Sequence, residues 1–295
     1  MPIQVGSDTI SDIQVEEFKN EIRHRAQQMD SKLAACVDQE SFTGEILNIP
    51  YVGRANTREK TSRVSQTKQG DIEFTNRQAI SRTFLATEYV DRTDLYKVIT
   101  EPRSRIAEAI LAGFMRRTDN LIVEAFEAPA FVGKNRSDTA SFNTDFTVPV
   151  GGAGLTVAKL TQAKRILDDN EADEDDRYFI CHPEQIEQLL NDERFSSTDY
   201  NRDSVLYEGK ALMYLGFTIK TVAPKSVPLP KTGNNRTNYF FQRKGIVYAR
   251  NATTEVRLQE RPDLDNLWQI WGEMNGDAVR VEEELVGRMI CQEAA

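Results

Sequence analysis

The chain of 295 residues has few of the residues from which catalytic and metal sites are usually built. Its three cysteines, Cys36, Cys181 and Cys291, are odd in number and far apart, which indicates neither a disulfide framework nor a paired metal motif. Only two histidines are present, His24 and His182, so a histidine-based metal site is disfavoured as well. We therefore expect free thiols, no metal and no cofactor.

Long apolar runs and a secretory signal are also missing. No apolar run approaches the roughly 20 residues that a helix needs to cross a bilayer, and the residues after Met1 lack the charged, apolar and small-residue succession of a signal peptide. The net charge of -9 disfavours a dedicated nucleic-acid binder, because phosphate contacts need an excess of Lys and Arg. We expect synthesis in a cytoplasm, no membrane partner, and DNA only as a non-specific neighbour.

Three motifs that would indicate chemistry fail on their spacing. Cys181 and His182 are adjacent at the end of a predicted strand, where neighbouring side chains point in opposite directions, so a nucleophile and base pair is disfavoured. The acidic run from Asp168 to Asp176 has Asp173 where a calcium loop requires glycine. No Gly-Lys-Ser/Thr follows the glycines at 151–154. These segments are interpreted as a strand–helix junction, a solvated acidic turn and a hinge.

A polar, basic stretch at 41–93 is the feature most indicative of function. Apolar residues are scarce at its centre, while strand-like patterns flank that centre on both sides. A long β-hairpin is predicted, and because an isolated hairpin is marginally stable in water, we expect it to lie across another subunit. A disordered surface loop is the alternative. The basic residues of the stretch are Arg54, Arg58, Lys60, Arg63, Lys68, Arg77 and Arg82.

An amphipathic helix from about Pro102 to Ala128 follows this stretch. Apolar residues recur at helical spacing, Thr100 is a plausible N-cap, and Pro129 marks the end. Several charged residues lie off this apolar stripe, and the pattern does not distinguish their exposure to solvent from contact with a neighbouring subunit. The residues in question are Arg103, Arg105, Arg116, Arg117 and Asp119.

The rest of the chain predicts an α/β unit and then several strands. A helix at 155–167 capped by Thr156, a strand at 178–181, a helix opened by Pro183 and a strand at 218–222 are followed by an exposed loop at 225–238. A hairpin at 239–248 is predicted to turn at Lys244-Gly245. Further strands are expected at 267–271, 278–281 and 285–291, with a break at Asn275-Gly276.

The order of these elements resembles the major capsid proteins of tailed bacteriophages, which have the Hong Kong 97-type fold. The resemblance covers about Ser41 to Cys291 and depends on the order and spacing of its segments. Those segments are EPRSRIAEAILAGFMRRTDNLIVEAF, LTVAKLTQAKRILDDN, FICHPEQIEQLL, YLGFTIKTVAP and NLWQIWGEMNGDAVRVEEELVGRMIC.

The resemblance implies an α+β fold with five parts. These are an N-terminal arm at 1–40, an extended hairpin loop at 41–93, a peripheral domain with the spine helix at 94–153, an axial domain at 154–256, and return strands of the peripheral domain at 257–295. In the N-terminal arm, Val15, Phe18, Ile22 and Met29 recur at approximately helical spacing, which indicates a short amphipathic segment.

The function implied by the resemblance is that of a structural subunit. Copies would assemble into the hexamers and pentamers of an icosahedral shell around double-stranded DNA, in the virion after assembly in the host cytoplasm. Partners would be a scaffolding protein, a portal and possible decoration proteins. The residues expected at intersubunit contacts are Arg54, Arg58, Lys60, Arg63, Lys68, Glu101, Arg103, Glu108, Arg116 and Arg117, with Glu124 and Glu127 as further acidic complements.

Two alternatives remain at this point. A cellular nanocompartment shell of the encapsulin type has the same fold and would enclose cargo enzymes in place of DNA. A carboxylate-dependent hydrolase is disfavoured, because carboxylates cluster in turns and on helix faces and are not isolated on apolar strands. Glu283 and Glu284 are the one pair that such an enzyme could use. We expect the protein not to be an enzyme.

Overall fold

The computed structural model describes residues 27–55, 57, 59, 62–63, 72–91, 103–133, 136, 138–192, 195, 213–251 and 254–293. Its helices are α1 (Arg103–Glu127), α2 (Val157–Asp169) and α3 (Pro183–Leu190). Its strands are β1 (Asp38–Ser41), β2 (Ile46–Val52), β3 (Phe74–Ile80), β4 (Arg82–Val90), β5 (Ala130–Val132), β6 (Asp138–Ala140), β7 (Thr147–Val148), β8 (Arg177–Cys181), β9 (Met213–Tyr214), β10 (Phe217–Thr221), β11 (Lys231–Thr232), β12 (Asn235–Gln242), β13 (Ile246–Arg250), β14 (Glu255–Arg261), β15 (Leu267–Arg280) and β16 (Val286–Gln292).

The predicted hairpin is confirmed, although it is shorter than expected. β2 and β3 pair antiparallel from Ile46 opposite Ile80 to Val52 opposite Phe74, and β5 and β6 extend the sheet at its base. The prediction that the hairpin also includes the apolar residues at 84–90 is wrong, because β4 pairs with β15 in another sheet. Alternation of apolar and polar residues identifies a strand but does not identify its partner.

A second sheet supports the long helix. Its order is β1-β13-β15-β14, with β4 also paired to β15, and α1 packs across β15. The predicted break at Asn275-Gly276 is wrong, since β15 runs through it. A Cβ at Gly276 would meet the Ala249 carbonyl oxygen at 3.0 Å, so this glycine permits close packing against β13 and does not form a turn.

The third sheet belongs to the α/β unit and has the order β7-β16-β12-β8-β10-β9, with β11 on β12. The helices at 155–167 and after Pro183 are confirmed, and the Thr156 side chain caps α2 as predicted. The predicted hairpin at Lys244-Gly245 is wrong, because β12 and β13 lie in different sheets. β16 also pairs with β12, so the segment 257–295, expected as one unit of the peripheral domain, is divided between two sheets.

The prediction that the segment 225–238 is an exposed loop is wrong. Val227 and Leu229 are buried, and the last four residues of the segment belong to β12. His182 holds this segment through its Nε2 atom, which lies 3.0 Å from the Val227 carbonyl oxygen. Proline and polar residues therefore mark an irregular segment here, while its two apolar side chains complete the core beneath it.

The predicted helix at 102–128 is confirmed as α1, and its carboxyl end is buried. The last turn of a helix leaves carbonyl groups without intrahelical partners. Arg280, itself buried on β15, donates from Nη1 to the Phe126 carbonyl at 2.5 Å and from Nη2 to the Ala140 carbonyl at 3.0 Å. The guanidinium thus satisfies the helix end and joins it to the hairpin sheet. Within the described parts of the chain, no helix has the length and apolar character needed to cross a bilayer.

Close packing of α1 on β15 leads to a prediction at Gly272. A Cβ at this position would lie 2.8 Å from side-chain carbons of both Ile110 and Phe114. Gly272→Val should therefore push the helix from the sheet and lower the free energy of unfolding by about 1–3 kcal/mol. Urea unfolding followed by circular dichroism measures this effect. Thr87→Val, at an exposed position of β4, is the control and should leave the unfolding midpoint unchanged; equal midpoints for both variants would contradict the packing.

Candidate assembly surfaces

The outer end of the hairpin presents apolar side chains to solvent. Val52 and Phe74 are directly opposite each other on β2 and β3, and Phe74 is 77% exposed. Nearer the base, Ile49 and Ala79 are buried in a small cluster with residues of β5, β13 and β15. The hairpin is therefore anchored at one end, while its other end has apolar surface that the described part of the chain does not cover.

Two arginines fix the hairpin to a turn of its own chain. Arg54 contacts the Glu284 carboxylate at 2.7 Å and the Glu171 carboxylate at 3.5 Å, and both of these pairs are exposed. Arg77, which is buried, contacts Glu283 at 3.2 Å. Exposed ion pairs contribute little net stability, so the Arg54 contacts are readily exchanged for others.

The remaining arm residues predicted at intersubunit contacts are mostly not described by the structure. Arg63 is exposed in a bend. Arg58, Lys60 and Lys68 lie outside the described residues, as do Glu101 and the proposed cap Thr100. Of the arm residues predicted at intersubunit contacts, the described part of the structure thus places Arg54 next to acidic groups.

On α1 the predicted contact residues Glu108, Arg116 and Arg117 have partners within the chain. Arg103 is the first residue of the helix, and Arg105 pairs with Glu108 one turn later at 3.1 Å. Arg117 contacts the Glu124 carboxylate at 3.0 Å, and its guanidinium carbon lies 4.6 Å from the centre of the Phe84 ring. These charges are arranged along the helix surface, where a neighbouring subunit can still reach those that remain exposed.

Asp119 has a structural role that the spacing of apolar and polar residues in the helix did not reveal. Sequence reasoning placed it off the apolar stripe, as a solvated or intersubunit residue, but it is fully buried. It accepts hydrogen bonds from the side chains of Gln28 and Ser31 at 2.5 Å and from the backbone N–H groups of Lys32 and Leu33 at 3.0 Å. This carboxylate ties the start of the described chain to the helix. No local signal marks it, since all four donors are more than 80 residues away.

An open groove runs between α1 and β4. It has a volume of about 620 Å³, and we call it the apolar groove. Gly113 lies in its floor, and Arg117 and Glu88 are its charged residues. The apolar residues that line it are Phe84, Leu85, Ala86, Ile106, Ala109, Ile110 and Phe114.

A second groove of about 580 Å³, the acidic groove, lies along the carboxyl-terminal half of α1. Glu124 and Glu127 provide its negative charge; Glu124 also contacts Arg82 at 3.2 Å, and Glu127 contacts Arg288 at 3.2 Å. Its floor includes Tyr239, and burial, followed by the nearby Glu127, raises the pKa of this phenol. The other lining residues are Arg117, Asn120, Val123, Ala128, Pro228 and Pro230.

The residues that an enzyme would need are used for structure. Cys181 is buried, and burial raises the pKa of its thiol, which favours the neutral thiol over the nucleophilic thiolate. Burial lowers the pKa of His182, whose backbone N–H donates to the Gln185 side chain at the start of α3. The described parts of the chain contain no cluster of three His, Cys, Asp or Glu residues suited to a metal ion.

Four carboxylates of the acidic run, and both carboxylates of the C-terminal pair, are paired with basic groups. Asp168 contacts buried Arg177 at 2.6 Å. Asp173 contacts Lys244 at 2.7 Å, and that hydrogen bond lowers the pKa of Asp173. Glu283 and Glu284 pair with the two hairpin arginines described above. The acidic run predicted as a solvated turn connects α2 to β8, and most of its residues are exposed.

Comparison with known proteins identifies the family. A family model described as phage capsid protein matches residues 10–293. The chain belongs to this family. No curated protein sequence matches this capsid protein, but many solved structures share its fold. Its family is one of structural shell proteins, which confirms the prediction that it is not an enzyme.

Three solved structures illustrate the fold. The capsid of cyanophage P-SCSP1u has a TM-score of 0.73 at 13% identity, with 97% of this chain and 95% of that chain covered. The capsid of cyanophage Pam1 has a TM-score of 0.72 at 11% identity, covering 97% and 98%. The capsid of a native GTA particle has a TM-score of 0.67 at 11% identity, covering 99% of each chain. The predicted resemblance to tailed-phage capsid proteins of the Hong Kong 97 type is confirmed.

Proposed function

We propose that this capsid protein is the major shell subunit and forms the hexamers and pentamers of an icosahedral head around double-stranded DNA. Family membership establishes a capsid protein that associates with itself and becomes part of the virion. The observation that supports the subunit's mode of assembly is the hairpin, whose outer Val52–Phe74 pair is apolar and exposed. Covering such surface with a neighbouring copy removes it from water.

The acidic groove is the landing site that we propose for a neighbour's hairpin tip. Its two glutamates are paired within the chain with Arg82, Arg117 and Arg288. These partly exposed pairs contribute little net stability, so the glutamates could exchange them for the oppositely charged tip residues Arg58, Lys60 and Arg63. Ion pairs of this kind fix the register of an interface, while apolar contacts provide most of its affinity. The apolar side chains at the outer end of the hairpin would pack beside this groove, next to its prolines.

Other partners follow from this role. A scaffolding protein, a portal, possible decoration proteins and non-specifically held DNA would contact the assembled shell, and assembly would take place in the host cytoplasm. The net charge of -9 favours DNA as an enclosed neighbour over DNA as a specific ligand. A nanocompartment shell and a hydrolase are not favoured, since the matching family and the similar structures are viral or GTA capsids.

Electron microscopy of negatively stained protein tests the proposal. Purified protein, alone or with its scaffolding protein, should form closed shells or capsomer rings. Replacing Arg54, Arg58 and Arg63 together with Glu should abolish assembly and leave the helical content of the monomer unchanged, because residues 58 and 63 would then bring negative charge to Glu124 and Glu127 of the neighbour. Replacing the same three residues with Lys is the matched control and should permit assembly.

Two results would contradict the proposal in different ways. A wild-type protein that stays monomeric at high concentration with its scaffolding protein would argue against the shell function. Normal shells from the Glu variant would leave that function intact and would show that the hairpin tip does not bind at an acidic surface.

A further inference from the structure

We propose that the apolar groove between α1 and β4 is the docking site for the N-terminal segment of the same chain, with Val15, Phe18 and Ile22 packed into it. The first described residue, Gln27, already contacts α1. The groove lies next to that contact, and the residues needed to fill it precede Gln27 directly in the sequence.

The direction of the chain points toward the groove. The backbone of Lys32 and Leu33 is held at Asp119, Gln28 contacts both Asp119 and Arg116, and the Gln27 side chain accepts a hydrogen bond from Arg116 at 3.0 Å. Followed backward, the chain therefore moves along α1 toward the amino end of the helix. Gly113 and Ala109, three and seven residues before Arg116, lie on the same side of the helix and line the groove.

The length of the part of α1 that lines the groove also agrees with the length of the proposed segment. The stretch of α1 from Ile106 to Arg116 is about 15 Å long at 1.5 Å per residue, and a helix formed by residues 15–26 would be about 16 Å long. Such a helix would place Ile22, Phe18 and Val15 in succession beside the groove. Their spacing of three and four residues puts them on one face of that helix.

Gly113 is a second, independent observation. Glycine inside a helix is unfavourable relative to alanine, by about 1 kcal/mol, and a Cβ at this position would meet only the Nη2 atom of Arg116, at 3.8 Å. No packing within the described chain requires the missing side chain. A second segment that lies closely against the helix would explain the absence of a side chain at this position, because a glycine lets two backbones approach.

Disulfide trapping in the full-length monomer tests the assignment. With Ile22→Cys and Ala109→Cys combined, a mild added oxidant should form an intrachain disulfide at least about tenfold faster than in a control chain with Asn20→Cys and Ala109→Cys, because docking raises the effective concentration of one face of the segment only. The three native cysteines are buried and do not interfere. Adding Gly113→Leu, which fills the groove, should slow the first pair to the rate of the control.

The pair Phe18→Cys with Leu85→Cys, on the opposite wall of the groove, repeats the test should Ala109→Cys disturb the helix. Equal rates for the docking and control pairs would overturn the proposal, since a free segment does not distinguish its faces. Disulfides found only between chains would overturn it in favour of a second copy as the occupant.

Discussion

Replacing Asp119 with alanine is expected to lower the free energy of unfolding by about 3 kcal/mol or more. Four donors converge on this carboxylate, and two of them are the backbone N–H groups of Lys32 and Leu33. Leu33 is itself fully buried. A buried donor left without an acceptor costs about 1–3 kcal/mol, and hydrogen bonds to a charged group are stronger than neutral ones. The substitution removes several of these bonds at once.

Urea unfolding followed by tryptophan fluorescence measures this effect, because Trp268 and Trp271 both lie on β15, the strand across which α1 packs. Asp119→Asn, which keeps one acceptor oxygen, should fall between wild type and Asp119→Ala. Asp169→Ala, which removes an exposed carboxylate paired with Arg165, is the matched control and should leave the midpoint nearly unchanged. A midpoint for Asp119→Ala equal to that of this control would show that the N-terminal arm is held by other contacts.

Replacing Glu293 with glutamine should make the protein less stable at neutral pH, and this loss should diminish in acid. Its carboxylate is buried; burial raises the pKa of Glu293, but hydrogen bonds from Arg236, Lys231 and Gln185 outweigh burial and lower the pKa to about 2. In the unfolded chain the value is 4.5. The ionised group therefore stabilises the fold above pH 4.5 and loses this contribution as the pH falls toward 2.

A pKa difference of this size corresponds to about 3 kcal/mol at pH 7. Urea unfolding followed by circular dichroism at pH 7, 5 and 3.5 should show the wild type approaching Glu293→Gln as the pH falls. Glu284→Gln, at an exposed ion pair, serves as the control and should follow wild type at each pH. If the difference between wild type and Glu293→Gln were the same at all three values, packing and not ionisation would explain the role of Glu293.

Local pattern was sufficient for most elements of the fold. The hairpin at 46–80, helix α1, the helix capped by Thr156 and the helix opened by Pro183 were each predicted from periodicity, caps and prolines. These signals lie within a few residues of the element that they specify, so they can be read without knowing the tertiary structure. The order of the elements was then enough to indicate the family.

Strand partners and glycine roles could not be predicted in this way. Gly245 and Gly276 were both interpreted as turn residues, yet each permits a close contact: a Cβ would meet Val286 at 2.7 Å in the first case and Ala249 at 3.0 Å in the second. A glycine required for close packing and a glycine required for a turn look the same in a sequence. The wrong break in β15 follows from this ambiguity. At 239–248 the chain does turn, in a short 3-10 helix at Arg243–Gly245, and only the expected pairing of β12 with β13 was wrong.

The candidate assembly surfaces were predicted only in part. Arg54 was identified as a basic residue of the hairpin, but its contacts with Glu171 and Glu284 join segments more than 100 residues apart. The landing site of the hairpin tip stays a prediction, because it depends on a second copy. Helix α1 was predicted with its apolar stripe, although Asp119 was assigned to the wrong face. The grooves on either side of the helix exist only because β4 and the segment before β12 pack next to it.

The sequence by itself determined the local elements, their order and therefore the capsid family, because periodicity, caps and prolines act over a few residues. Only the tertiary structure decided that Asp119 is buried beneath residues 28–33, that β4 leaves the hairpin for β15, and that β16 returns to the α/β sheet. Each of these depends on contacts between distant segments, and their energy comes from burial and hydrogen bonds that exist only when both segments are in place.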